Sequence, residues 1–367
     1  MAHRKQTTFL LIWVILWITI GLGIVEMAVR FQFVRVTTVM WNVKYEFDWQ
    51  TLFRIKPNCH PDIGPFGNRL TPGTRMGEPS HPSALIGDSF AYGVNVKPDQ
   101  TIAAELERLL GGKNGVYNFG VAGYGPDQSL LQLRRIVMDR KPGAVFLTIF
   151  PANDFNDLSK NGLFIIDADG RMRSNRSNAL LDAMPGWRSL FLAEALAAGL
   201  KGGTNANLNL TIAPTKSKQP HTRFDRLHRL LLRDTFDIDL VRAPDSPLSR
   251  TKQALMRGVM AEIRDTLAAR GIPLYVAIIP SYESMLRPDF FEKNTIPRTN
   301  MTAAEDLADT ICRETRLTFT NMTPAFANNT NRVSFFDWND RHLSPLGYTE
   351  VARAFTELRR QNPGIYR

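Results

Sequence analysis

Two patterns of apolar residues divide the chain. The first is a single unbroken run: after MAHRKQTT come FLLIWVILWITIGLGIV, residues 9–25, with no charge before Glu26. The second is a rhythm of short apolar runs and amphipathic stretches that begins at residue 84. SALIGDS is a brief apolar run ending in a turn. TIAAELERLLGG, residues 101–112, has helical spacing and a glycine stop. GVYNFGVAG reads as a second strand, and DQSLLQLRRIVMDRKPG as one helix running to Pro-Gly. AVFLTIFPAND is a third strand, apolar throughout as in a parallel sheet covered on both faces. After a long gap, residues 249–271 form a strong amphipathic helix that feeds IPLYVAIIP, a fourth strand. AAEDLADTICRET is a helix, LTFTNMTPAF a fifth strand, and SPLGYTEVARAFTELRRQ a closing helix capped at Ser344. Strands alternating with helices predict an α/β fold with a doubly wound, parallel five-stranded sheet. In such sheets the working site lies beyond the carboxyl ends of the strands.

Residues 158–248 interrupt the rhythm and read as a cap-like insertion after the third strand. FIIDADGRMR suits a hairpin turning at Asp-Gly, and GWRSLFLAEALAAGL and HTRFDRLHRLLLRD suit helices. Upstream, residues 30–50 read as a membrane-proximal lead-in that continues the helix. KPNCHPDIGPFGNRLTPGTRMGEPSHP reads as an extended loop over a domain surface.

With residues 9–29 the first apolar run reaches the ~20 residues that cross a bilayer, longer than a secretory h-region of ~7–15 and with no Ala-x-Ala site after it. It is expected to be an uncleaved signal anchor. The chain then divides into a cytoplasmic tail at 1–8, a span at 9–29, a lead-in and loop at 30–83, and a catalytic domain at 84–367. Arg4 and Lys5 before the span nearly balance Arg30, Arg35 and Lys44 after it, so orientation rests on the shortness of the tail. The domain is expected on the extracytoplasmic, periplasmic side.

Composition refines this. Lys and Arg number 45 against 35 Asp and Glu, a net +10 that suits a surface near anionic lipid or polymer. The arginines are scattered, with no basic-aromatic stripe, so no nucleic-acid partner is expected. Two cysteines, Cys59 and Cys312, fit either one disulfide or two reduced thiols. With no CxxC and six dispersed histidines, no metal site is indicated and no cofactor is expected.

Chemistry collects at the strand ends. The first strand ends in Gly87-Asp88-Ser89, the second leads to Gly120-Val-Ala-Gly123-Tyr-Gly125, and the third to Pro151-Ala-Asn153-Asp154. Near the C-terminus FFDWNDRHLSPLGY adds Asp337, Asp340 and His342. Alone, a Gly-Asp-Ser is most often a turn and an Asn-Asp a cap. At successive strand ends of one sheet they converge. GVAGYG also has a faint dinucleotide-loop look, but its spacing is G-x-x-G-x-G, the reverse of the fingerprint, and Pro126 opens the next helix.

IGDSFAYG, NFGVAGYG, PAND and DRHLSPLGY, in that order, resemble the SGNH (GDSL-type) hydrolase superfamily. The likeness covers residues ~84–155 and ~272–358 and leaves the N-terminal region and the insertion aside. It implies a three-layer, flavodoxin-like α/β domain. It also implies Ser89 as nucleophile, His342 as general base and Asp340 as the acid that orients it. Ser89 N–H, Gly123 and Asn153 would form the oxyanion hole. The chemistry supports the assignment: a serine hydroxyl needs an adjacent base, and each oxyanion donor is worth ~10²–10³ in rate. Many relatives place the acid three residues before the histidine, where this chain has Asn339. The Asp-x-His form resembles that of alginate-type acetyltransferases, with Asp337 as a poorer second choice for the acid. Pro151-Ala152 stands where glycines are common.

The expected activity is that of an anchored serine esterase removing acyl, above all acetyl, groups from an envelope glycan or similar polymer. One alternative is an O-acyltransferase using the same triad, supplied by a membrane-bound acyl-transfer partner. The other is a catalytically silent envelope-binding module. Its expected partners are an acylated carbohydrate or other ester and the bilayer at residues 9–29.

Overall fold

A computed structural model describes residues 9–24, 45–48, 50–80, 82–111, 115–175 and 237–363. Residues 9–24 and 45–54 belong to a unit separate from the one formed by the described parts of 55–175 and 237–363.

In the first unit, residues 9–24 are helical and carry large apolar side chains in the open, Phe9, Trp17 and Ile24 among them at more than three-fifths exposure. Among the described residues no helix is long and apolar enough to cross a membrane. Residues 25–44, which include the end of the expected span, lie outside the described residues. The lead-in differs from expectation. β1 (Tyr45–Asp48) and β2 (Leu52–Ile55) form a two-stranded sheet where continued helix was expected. The turn is closed by Asp48, whose Oδ1 accepts from the N–H groups of Gln50 and Thr51, both at 3.0 Å. That is the local competition by which aspartate draws backbone away from helix.

The second unit is built on five strands: β3 (Ser83–Ile86), β4 (Val116–Asn118), β5 (Val145–Ile149), β8 (Leu274–Ile278) and β9 (Phe319–Asn321). They lie in the order β4-β3-β5-β8-β9, every pair parallel. Numbered among themselves they run 2-1-3-4-5, the flavodoxin-like order, with the switch point between β3 and β5. The expected fold class is therefore met for this unit.

The continuous apolar runs follow from burial on both faces. Strand residues point alternately to opposite sides. Ala84, Ile86, Val145, Leu147, Val276 and Ile278 go to one core. There they meet Leu255, Val259 and Ile263 of the helix Pro247–Ala268. Leu85, Phe146, Tyr275 and Ala277 go to the other core, against Leu106, Val351 and Phe355. Leu106 comes from α2 (Ile102–Leu109), capped by Thr101, and Val351 and Phe355 from the closing helix Pro345–Gln361. That helix begins as expected, the Ser344 hydroxyl accepting from Gly347 N–H.

Several boundaries move. The helix expected to run to Pro142 is α-helical only over α3 (Pro126–Gln132), then widens into a π-turn at Leu133–Val137 and tightens at Met138–Arg140. The fifth strand ends at Asn321, because Thr323-Pro324 starts a short helix, Thr323–Ala327. The loop at 56–82 is not merely superficial: Asn68, Arg69 and Thr71 are buried, and Arg69 N–H donates to Asn118 O at the sheet edge, 2.8 Å. The insertion supplies the expected hairpin, β6 (Phe164–Ile166) antiparallel to β7 (Met172–Ser174). The two helices expected at 186–200 and 221–234 lie outside the described residues. No disulfide joins Cys59 to Cys312 among the described residues, and burial pushes the Cys312 thiol up to about 12.

Candidate active site

Each site residue sits where a strand stops. β3 ends at Ile86, and after Gly87-Asp88 the chain turns into α1 (Ser89–Tyr92). Asp88 caps that turn, its Oδ1 accepting from Phe90 N–H at 2.9 Å. Ser89 is thereby fixed at the carboxyl edge of the sheet. β4 and β5 flank β3, so the loops that follow them flank Ser89. The first carries Gly123, at φ +83°. The second enters α4 (Pro151–Asn161), whose first turn carries buried Asn153. Among the described residues neither Ser89 N–H nor Gly123 N–H donates to a protein carbonyl.

Close packing keeps these loops together. A Cβ at Gly120 would lie 2.1 Å from Tyr92 N and 2.4 Å from Ala91 C, so only glycine lets the β4 loop approach α1. Behind them Asn161 Nδ2, at the far end of α4, donates to Asp127 Oδ1 at 3.0 Å and to Gln128 Oε1 at 2.8 Å. Gln128 Oε1 also accepts from Gly125 N–H at 2.9 Å. The two candidate oxyanion segments are thus tied by one buried polar web. The carboxyl groups in and beside it feel the burial. Desolvation pushes Asp127 up to about 7. Asp154 is held well above the carboxylate range, first by burial and then by the charges of Asp88 and Asp157.

The opposite side of the site comes from the loop before the closing helix. His342 Nε2 lies 2.9 Å from Ser89 Oγ, and His342 Nδ1 lies 3.0 Å from Asp340 Oδ2. Asp340 Oδ1 also accepts from the His342 backbone N–H at 3.1 Å, which fixes the two residues as a unit. With Nδ1–H donating to the carboxylate, Nε2 presents its lone pair to the serine hydroxyl. Burial works to raise the Asp340 carboxyl. The His342 hydrogen bond and charge, the His342 N–H and the Asn95 amide outweigh it, and the group is held below its ordinary value. The His342 ring packs on Phe90, centroids 4.8 Å apart, and Phe90 packs on Phe150 at 4.3 Å.

The structure brings Ser89, His342 and Asp340 together and sets Gly123 and Asn153 on the flanking loops. Asp337, the second choice for the acid, instead closes the loop. Its N–H donates to His342 O at 2.7 Å, its backbone O accepts from Arg341 N–H at 2.8 Å, and its Oδ1 accepts from Asn339 N–H. Two contacts were not legible beforehand. Asn95 Nδ2 donates to Asp340 Oδ2, and Arg341, at φ +69° between the acid and the histidine, reaches Glu283 Oε1 at 2.5 Å. Both partners are distant in sequence, and neither Asn95 nor Glu283 stands in a motif.

Three solved structures illustrate what the chain is similar to. A lipase/acylhydrolase from Enterococcus faecalis is 10% identical over 77% of this chain and 96% of its own, with a TM-score of 0.41. An acetylxylan esterase from Geobacillus stearothermophilus is 14% identical over 76% and 94%, TM-score 0.38. TesA is 9% identical over 77% and 99%, TM-score 0.40. No family model matches the sequence, and no curated protein does. At such low identity and superposition, the meaning of the site rests on its own atoms.

Proposed function

We propose that the protein is a serine esterase of the SGNH type, anchored in a membrane by its N-terminal apolar helix. It would remove acyl groups from an envelope glycan or similar polymer on the extracytoplasmic side. The observation that carries the reading is the continuous relay Ser89 Oγ–His342 Nε2, His342 Nδ1–Asp340 Oδ2, at 2.9 and 3.0 Å. These are hydrogen-bond distances for a nucleophile, its base and the orienting acid.

Ser89 Oγ attacks the ester carbonyl carbon as its proton passes to His342 Nε2. Asp340 keeps the imidazole in the required tautomer and stabilises the imidazolium. The negative oxygen of the tetrahedral intermediate lies against Ser89 N–H, Gly123 N–H and the Asn153 amide. His342 returns the proton to the departing alcohol oxygen, which leaves acyl-Ser89. Water then attacks with the same base, and the free acid departs.

The polymer substrate and the location are the finer parts of this reading. Their support is the helix at 9–24, whose exposed Phe, Trp, Leu and Ile side chains suit an apolar medium better than water. A tethered hydrolase acts on what reaches the membrane surface.

The test is turnover of an aryl acetate by the wild type and by Ser89→Ala, together with labelling by a membrane-impermeant fluorophosphonate on intact cells. Ser89-dependent turnover and surface labelling are expected. Equal rates in the two proteins would remove the esterase reading, and labelling only after lysis would remove the proposed location.

A further inference from the structure

The turn that follows the nucleophile, residues 93–96, touches both halves of the triad. Gly93 N–H and Val94 N–H donate to the carbonyl of Ser89 at 3.0 and 3.3 Å. The side chain of Asn95 crosses to the other half and donates to Asp340 Oδ2, the same oxygen that meets His342 Nδ1. Besides His342, this turn thus links the serine segment to the acid.

The turn is unusually well fixed. Buried Arg69 spreads its guanidinium under it, donating from Nη1 to Tyr92 O at 2.9 Å and to Gly93 O, and from Nη2 to Val96 O at 2.6 Å. Tyr348, fully buried on the closing helix, lies with its hydroxyl 3.5 Å from Val94 O. Asn118 Nδ2 adds a second donor to Tyr92 O at 3.3 Å. The carbonyls on both sides of Asn95 are therefore held from below, while Asn95 itself is exposed at φ +60°. Asparagine tolerates that left-handed conformation better than most residues. Glycine would suit it still better, yet the position carries a side chain.

We infer that Asn95 is a positioning residue for the triad acid. Its amide fixes the Asp340 carboxylate from the nucleophile side, so that serine, acid and histidine keep one geometry through turnover. This rests on the serine-esterase reading of the site. Because Asn95 is exposed, water can replace its hydrogen bond in strength but not in direction, and the effect falls on orientation.

The experiment compares steady-state hydrolysis of an aryl acetate by the wild type, Asn95→Gly and Asn95→Asp, with melting curves and fluorophosphonate labelling of each. Glycine keeps the turn conformation and removes the donor. Aspartate keeps the shape and sets an acceptor against Asp340. The expected result for Asn95→Gly is an unchanged or higher melting temperature, KM within about twofold, and kcat lower by on the order of tenfold. Asn95→Asp is expected to lose at least as much kcat. If Asn95→Gly turns over like the wild type, Asn95 is only a turn residue and the inference fails alone. If the wild type neither labels at Ser89 nor turns over, the esterase reading fails and this inference goes with it. Should Asn95→Gly melt early, Asn95→Asp decides: wild-type kcat in a normally melting Asn95→Asp defeats the inference.

Discussion

Ser89 and His342 meet at 2.9 Å but are held by different means. The serine stands on a turn between a fully buried strand and a buried helical turn, pressed by a neighbouring loop that only glycine allows so close. The histidine stands on a loop whose surroundings are half open. Asp340 is a quarter exposed, Asn339 and Arg341 face solvent, and polar contacts set the shape. One half of the site is positioned by packing, which is costly to disturb. The other is positioned by hydrogen bonds in contact with water, which are individually weak and tunable. Away from the reacting groups and the contacts that aim them, substitutions among the packed residues should therefore register as stability, and those on the open half as turnover.

The largest expected effect lies on the open half. His342→Ala removes the base and should lower kcat/KM for an ester by at least about 10⁴-fold, while the urea midpoint moves little. A large loss of stability here would mean that the loop is more than a carrier of chemistry. The packed half gives the opposite signature. Gly120→Ala drives a methyl group into the backbone of Ala91 and Tyr92. That should cost on the order of 3 kcal/mol, read as a fall in urea midpoint at constant slope. Normal stability in this variant would show that the loop can retreat, and the contrast between the halves would be lost.

The same contrast explains what the sequence disclosed. The packed half was legible because its physics is periodic and local. Runs such as VFLTI and LYVAI are buried on every residue, as a parallel sheet between two cores demands, and Gly-Asp-Ser, Gly123 and Asn153 all come within five residues of a strand end. On the open half His342 and Asp340 were legible from their spacing. What holds them was not, since Asn95 meets Asp340 across 245 positions and Arg341 meets Glu283 across 58. Boundaries failed where local chemistry overrode periodicity: Asp48 made a turn in what read as helix, and Thr323-Pro324 began a helix in what read as strand.

A third expectation concerns the one respect in which the packed half should respond to pH. Asp127 is buried and pushed from 3.8 up to about 7 by desolvation. Below about pH 3 it is largely protonated in both folded and unfolded chains. Between about 4 and 7 the unfolded chain ionises it while the folded chain keeps the proton, so stability drains away as pH rises through that window. Asp127→Asn keeps an acceptor for Asn161 and Gln128 and cannot ionise. It should be more stable than the wild type by on the order of 2 kcal/mol near pH 8, with the gain vanishing below about pH 3. A gain of the same size at both pH values would point to packing, not to the proton.

The smallest expected effect sharpens the open half, because two terms nearly cancel there. Arg341 holds a left-handed backbone at φ +69°, a conformation that costs a residue with a side chain about 1 kcal/mol relative to glycine. Against this, its ion pair with Glu283 is half exposed on the arginine side and contributes less than about 1 kcal/mol. Arg341→Gly relieves the first and loses the second, so the melting temperature should stay within a few degrees or rise. The loop between the acid and the histidine nevertheless loses its tether to the segment after β8, and kcat should fall about two- to fivefold with KM little changed. Arg341→Lys, which keeps a charge but not the fork geometry, should fall between the two. If Arg341→Gly instead raises turnover, the ion pair restrains the loop in a geometry short of the productive one, and polar contacts on this half would be brakes and not guides.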